Sequence, residues 1–227
     1  IQTMILRSDS ETEFIERYSS SQSIYIVFDA KNNNKGALHC STKEEETLSK
    51  QLLNKATSVN ANSSVYKTLR LALACTSEYT AYFGGVSKAL EAMNATMTRV
   101  NGIFNRDLAI HLNLVSNNLN LIYNDASTDP FSPHSIGAQN DVWNLELQRD
   151  LTAKIGNTNY DIGHLLGAAG GGGNAGCIGC VCVNPSTNFP LAKGSGFSSP
   201  ADGKPEGDGF DIDFVAHEMG HQLGANH

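Results

Sequence analysis

The chain has no long apolar run, no excess of positive charge and no opening that reads as an export signal. No window reaches the roughly 20 consecutive apolar residues that a membrane-spanning helix needs, so the sequence carries no such span. Lys and Arg number 16 against 23 Asp and Glu, and the net charge of −7 argues against a nucleic-acid partner. Ile1 stands where an initiator methionine would, so an upstream segment is expected to have been removed or left out of this sequence, which fits a processed, exported protein. The run Gly170-Gly171-Gly172-Gly173 lacks the Lys-Ser/Thr of a phosphate-binding loop, and no helix is expected after it, so nucleotide binding is disfavoured. The pair Cys177 and Cys180 has no second C-x-x-C to close a structural zinc site, which favours a disulfide over a metal or redox role. Five cysteines (Cys40, Cys75, Cys177, Cys180 and Cys182) leave at least one unpaired if the others bridge.

At 227 residues with ordinary apolar content, the chain can bury a sizeable core and suits one domain with an appendage. The first 62 residues read differently from the rest. Ile24 to Phe28 is a short strand, Asp29 to Gly36 a polar turn, and Glu44 to Asn54 a charged helix; Ala56 to Ser64 is small, polar and aperiodic, as linkers are. The main domain opens with a strand at Tyr66 to Leu73, where Leu69, Leu71 and Leu73 share a side. After Gly84-Gly85, the residues Val86, Ala89, Leu90, Met93, Met97, Val100 and Phe104 form a 3.6-period stripe on a long helix, with both methionines as core filler. Ile110, Leu112 and Leu114 alternate as a second strand, and an Asn-rich turn covers Ser116 to Asn120. A second helix is expected from Gln139 to Ile155, capped by Asn140 and burying Leu145, Leu151 and Ile155; Tyr160 to Leu166 is a third strand. Strands alternating with long helices predict an α/β fold with helices packed on a mixed, twisted sheet.

The last eleven residues carry the chemistry. On a helix, positions four apart lie about 40° from each other, so His217 and His221 offer two imidazoles to one ion, while Glu218 swings to the neighbouring side. Gly224 is a natural helix stop that would turn His227 back toward the same ion. Three imidazoles with a fourth position left to water are the pattern of a catalytic zinc site. A chance HExxHxxGxxH in a chain this long is on the order of 1 in 10,000. His39, His111, His134 and His164 have no metal spacing among themselves and read as surface or hydrogen-bonded histidines; Asp211 and Asp213 read as caps and helix-dipole partners rather than ligands.

The motif His217-Glu218, His221, Gly224 and His227 resembles that of the metzincin clan of zinc metallopeptidases. Over about residues 65 to 227, Leu71 to Tyr79, Arg99-Val100-Asn101, Tyr160 to His164, the glycine run and Phe210 to Phe214 look like the reprolysin-like (adamalysin-like) branch found in secreted bacterial proteases. The resemblance implies a metzincin-type N-terminal subdomain with two long helices and a zinc-binding active-site helix. The methionine-bearing turn and the C-terminal subdomain that the clan places after the third ligand are absent from the sequence, so the catalytic domain, 63–227, is expected to be truncated after His227. It also implies an edge strand on the cleft's upper rim, placed at Ala175 to Val183, whose residues Ala175, Gly176, Cys177, Ile178 and Gly179 would pair with an extended protein or peptide substrate.

The expected reaction is peptide-bond hydrolysis. Zinc held by His217, His221 and His227 would lower the pKa of water toward ~7 and polarise the scissile carbonyl, with Glu218 as general base. Clan members are often made as latent precursors, which would make residues 1–62 the end of a pro-segment and Cys40 its zinc-blocking thiolate; a Cys40–Cys75 disulfide is the competing arrangement. A secreted or extracellular location is expected. No residue pattern decides whether calcium binds as well. The alternatives are a zinc-binding or adhesion module without turnover, which need not keep Glu218, and a non-peptide hydrolase with the shorter HExxH motif, which the third histidine disfavours.

Overall fold

The alternation Leu69-Arg70-Leu71-Ala72-Leu73-Ala74 puts large apolar side chains on one side of a strand and small ones on the other. That strand becomes the middle of the molecule. In the computed structural model, which describes residues 3–5, 13–17, 24–29, 39–43 and 65–227, Leu71 and Leu73 enter one core layer while Ala72 and Ala74 enter another, all of them fully buried. Helices therefore cover both faces of the sheet, as an α/β layer requires. The mixed α/β architecture expected from the pattern is the one observed.

Among the described residues, a small antiparallel sheet comes first: β1 (Thr3–Ile5), β2 (Glu13–Arg17) and β3 (Tyr25–Asp29), in the order β1-β2-β3. The expected helix at Glu44 to Asn54 and linker at Ala56 to Ser64 lie outside the described residues. The main sheet consists of β4 (Lys67–Cys75), β5 (Ile110–Leu114), β6 (Ile162–Leu166), β7 (Gly172–Ala175) and β8 (Gly196–Ser199), in the order β5-β4-β6-β8-β7. Its pairings are parallel except the last, where β7 runs antiparallel to β8 and forms an edge.

Helix α1 (Ser77–Phe83) starts on a Thr76 side-chain cap and stops at Gly84, whose φ of 86° is the left-handed conformation a helix end needs. Helix α2 (Val86–Asp107) then buries Ala89, Met93, Met97, Val100 and Phe104, so the two methionines fill core. A short turn, α3 (His134–Gly137), precedes α4 (Val142–Lys154). This corrects the expected start at Gln139 under an Asn140 cap. The backbone N–H of Asn140 is taken by the Ile136 carbonyl, and Asp141 at φ 57° breaks the chain before the helix begins. The face that packs is Trp143, Leu147 and Leu151, followed by Ile155, with Leu145 only half-buried.

Two asparagines stand in for peptide groups in the core. Asn118 donates from Nδ2 to the Leu73 carbonyl and accepts from the Leu73 N–H, at 2.9 Å each. Asn101 makes the same pair with Leu112 at 2.9 and 2.8 Å. The first pair holds the Asn-rich turn to β4; the second holds α2 to β5.

The edge strand forms at Gly172–Ala175, not at the expected Ala175 to Val183. Of the residues assigned to substrate pairing, only Ala175 lies in it. Gly176 lies beyond the strand but still donates to the Ser195 carbonyl (2.9 Å), and Cys177, Ile178 and Gly179 leave the sheet in the turn that the Cys177–Cys180 disulfide spans, with Gly179 at φ 71°.

Replacing Asn118 with Ala removes both bonds and leaves the N–H and C=O of Leu73 buried without those partners. A loss of about 2 kcal/mol or more is expected in urea unfolding.

Candidate metal centre

A helical turn at Asp208–Phe210 runs into a π-helical stretch, Asp211–Ala216, and then into α5 (His217–Leu223), which presents the histidines. Phe210, Phe214, Val215, Ala216 and Met219 sink into the core layer shared with α2. Two buried polar contacts fix the approach of this segment to α2. Arg99 meets Asp208 (Nε–Oδ1 3.3 Å), and Thr96 donates to Asp211 (2.7 Å). Asp211 thus ties two helices together instead of capping one, and neither Asp211 nor Asp213 belongs to the group of metal-capable side chains.

Beneath α5, Gln222 is buried and bridges to the sheet. Its Nε2 donates to the Gly163 carbonyl at 2.8 Å, and its Oε1 accepts from His164 Nδ1 at 2.8 Å; His164 Nε2 lies 3.0 Å from Ser198 Oγ. His164 is thus a hydrogen-bonded core histidine, and burial lowers its pKa to about 4. His111 contacts Asn105, His39 is exposed and His134 heads α3; none joins the centre.

Helix α5 ends at Gly224, whose φ of 113° suits the left-handed turn. The chain returns, bringing the His227 ring to 4.5 Å from that of His221 and 5.7 Å from that of His217, centroid to centroid. The Nε2 atoms of His217 and His221 are 3.1 Å apart. His221 Nδ1 lies 2.7 Å from the Ala225 carbonyl, which can only accept, so Nδ1 carries the proton and Nε2 turns its lone pair to the cluster. Burial, followed by the neighbouring His221 and His227, lowers the pKa of His217.

The fourth donor comes from far away in sequence. Cys40 Sγ is 3.7 Å from His221 Nε2, and the ligand atoms of Cys40, His217, His221 and His227 all lie within 4.8 Å of one another. Tetrahedral zinc places nitrogens about 3.3 Å apart and nitrogen and sulfur about 3.6 Å apart, so the group fits such an ion. Cys40 and Cys75 are both free, which removes the alternative of a bridge between them; Cys75 is buried, and its thiol is pushed up to about 12 by burial.

Cys40 is held by its neighbours. Gly173 N–H donates to the His39 carbonyl (3.1 Å) and Ser41 N–H to the Gly173 carbonyl (3.0 Å), so residues 39–41 pair in parallel with the outer side of β7. Thr42 Oγ1 accepts from Ala175 N–H (2.7 Å) and donates to Glu218 Oε2 (3.0 Å). Glu218 is fully buried, its other oxygen has no hydrogen-bond partner among the described residues, and burial pushes its pKa up to about 7. The edge strand passes so close that a Cβ on Gly173 would lie 2.4 Å from Glu218 Cγ. That contact gives one of the run's glycines its reason. Thr42, Asp141 and Gln222 carry no signal of their own in the sequence.

Two imidazoles on one helix and a third returned by the chain after Gly224, a carboxylate beside them and a sheet edge alongside define a metallopeptidase-type centre. Residues 65–227 match the reprolysin-like metallo-peptidase family M12B, and the chain belongs to this family of zinc-dependent peptidases. No curated protein matches the chain.

Because His164 is held neutral in the folded protein, the unfolded chain binds a proton there that the native one does not as pH falls below about 6.5. Stability of the metal-free protein is therefore full above that value and declines toward pH 4, by about 3 kcal/mol from this residue. Urea unfolding across that range checks it, with a shallower slope expected for His164→Asn.

Proposed function

We propose that the chain is an exported zinc-dependent endopeptidase, held in a latent arrangement in which residues 1–62 act as a pro-segment and Cys40 blocks the metal. The observation that carries this reading is the convergence of Cys40 Sγ with the nitrogens of His217, His221 and His227, with Thr42 of the same segment on Glu218. The Cys177–Cys180 disulfide supports an oxidising compartment.

His217, His221 and His227 would hold the zinc, which supplies Lewis acidity toward a peptide carbonyl and acidifies water. The chain's own residues do the rest. Once residues 39–43 withdraw, the outer side of β7 offers the Gly173 N–H and C=O to the backbone of an extended peptide, in place of His39 and Ser41. Glu218 Oε2, released from Thr42, takes a proton from the attacking water and hands it to the leaving amine. Burial raises the proton affinity of this carboxylate above the ordinary value, which suits a group that must both take and return a proton.

A closed set of one cysteine and three histidines is also what a structural site or silent adhesion module would hold. The buried carboxylate of Glu218 beside it has no use in such a module, and this favours the enzyme.

Glu218→Ala in the full-length protein, cut between residues 43 and 65, is expected to keep one zinc but lose peptide cleavage by about 100- to 10,000-fold. Retained cleavage with zinc bound would remove Glu218 as the base. For latency, the uncut cobalt-substituted protein is expected to show a thiolate-to-metal absorption band that Cys40→Ser abolishes. An unchanged spectrum would place the thiol off the metal.

A further inference from the structure

Ser41, between Cys40 and Thr42, reaches a side chain the reaction does not use. Its Oγ donates to Asp141 Oδ1 at 2.6 Å, lies 3.1 Å from the Gly173 carbonyl, and accepts from Asn174 Nδ2 at 3.1 Å. Asp141 occupies the N-cap of α4, where an aspartate ordinarily turns back to bond the helix N–H groups. Here it makes no capping bond. It sits instead at φ 57°, a left-handed conformation that aspartate and asparagine accept more readily than other non-glycine residues, and its carboxylate faces the segment lying in the cleft.

Beside this contact is a cavity of about 280 Å³, lined by Ala138, Gln139, residues 170–173, and His39 and Ser41 of the segment. A serine side chain uses little of that space, and the four glycines add no side chain to it. When residues 39–43 leave, the donor on Asp141 leaves with them, and a carboxylate is left facing the rim along which a peptide would lie.

We infer that Asp141 is a specificity-determining residue of the cleft, selecting a substrate side chain that donates hydrogen bonds at the position Ser41 holds, with Lys or Arg preferred. This rests on the peptidase reading and on residues 39–43 occupying the substrate's path. A cationic side chain gains a charge-assisted bond to the carboxylate, stronger than the one serine makes. Gln139, whose side chain carries an amide carbonyl acceptor, also lines the cavity. The net charge of −7 favours cationic peptides on approach.

The test compares full-length protein cut between residues 43 and 65, wild type against Asp141→Asn, on a peptide library. Asparagine tolerates the left-handed conformation, so the fold is kept. Wild type is expected to favour Lys or Arg over norleucine by about tenfold or more in kcat/KM at one position beside the scissile bond. In Asp141→Asn that preference falls to about twofold, and preferences elsewhere are unchanged. A preference equal in both proteins, or none in wild type, overturns the assignment of Asp141. If zinc-loaded wild type cleaves no peptide, it is the peptidase reading that fails, and binding then decides the subsite. A synthetic peptide of residues 38–43 with Ser41→Lys should bind the cut Glu218→Gln protein more tightly than the native peptide does. The gain should vanish when Asp141→Asn is added; a gain that persists, or that never occurs, sinks the proposal.

Discussion

Two imidazoles on one helix meet at a point only if the helix is prevented from rolling, and the side chain that prevents it is Gln222. It follows the ligand His221 directly, about 100° further round the helix, and reaches into the sheet, where it is held by the Gly163 carbonyl and by His164. A roll that moved His217 and His221 out of register would break both bonds in a place without water to replace them, which is costly. The segment leading into that helix is fixed to α2 by Arg99–Asp208 and Thr96–Asp211. Buried polar contacts of this kind add little net stability, but they admit few alternative geometries. Apolar packing around Phe210, Phe214 and Met219 supplies the adhesion.

What can be seen in the sequence and what cannot divides along chain distance. The Leu/Ala alternation of β4, the methionine-bearing stripe of α2 and the spacing of His217, His221 and His227 are local patterns, and local geometry turns each into structure. The start of α4 is hidden because either Asn140 or Asp141 could serve as its cap, and only the left-handed backbone at Asp141 separates the preceding turn from the helix. The edge strand lies a few residues earlier than its pattern suggests for a related reason. A cysteine-flanked apolar stretch reads as strand, whereas four residues that begin Gly172-Gly173 do not, and the need for glycine at position 173 arises from Glu218, 45 positions away. Cys40 is recognisable as an odd thiol, but counting cysteines cannot say which partner lies within 4 Å. Thr42 is still less visible, since a hydroxyl in a polar stretch has no distinguishing neighbours.

Three consecutive side chains divide the work of occupying the cleft: Cys40 faces the imidazoles, Ser41 the rim at Asp141, and Thr42 the buried carboxylate together with the Ala175 N–H. Each contact addresses a different part of the same machinery, so the segment matches the centre chemically and not merely in shape. Parallel pairing with β7 sets the spacing of these contacts, because it delivers successive residues at a fixed rise along the strand.

That pairing also bears on the protein's behaviour in concentrated solution. A sheet edge with open N–H and C=O groups is a template for any extended chain, another copy's included, and natural sheets blunt such edges with charge, proline or shortness. β7 has neither charge nor proline, only a length of four residues and a covering strand contributed by residues 39–41. While that cover is in place the edge is closed to self-association. On the proposed reading, removing it would open that edge to peptides and by the same step make the molecule stickier toward its own kind.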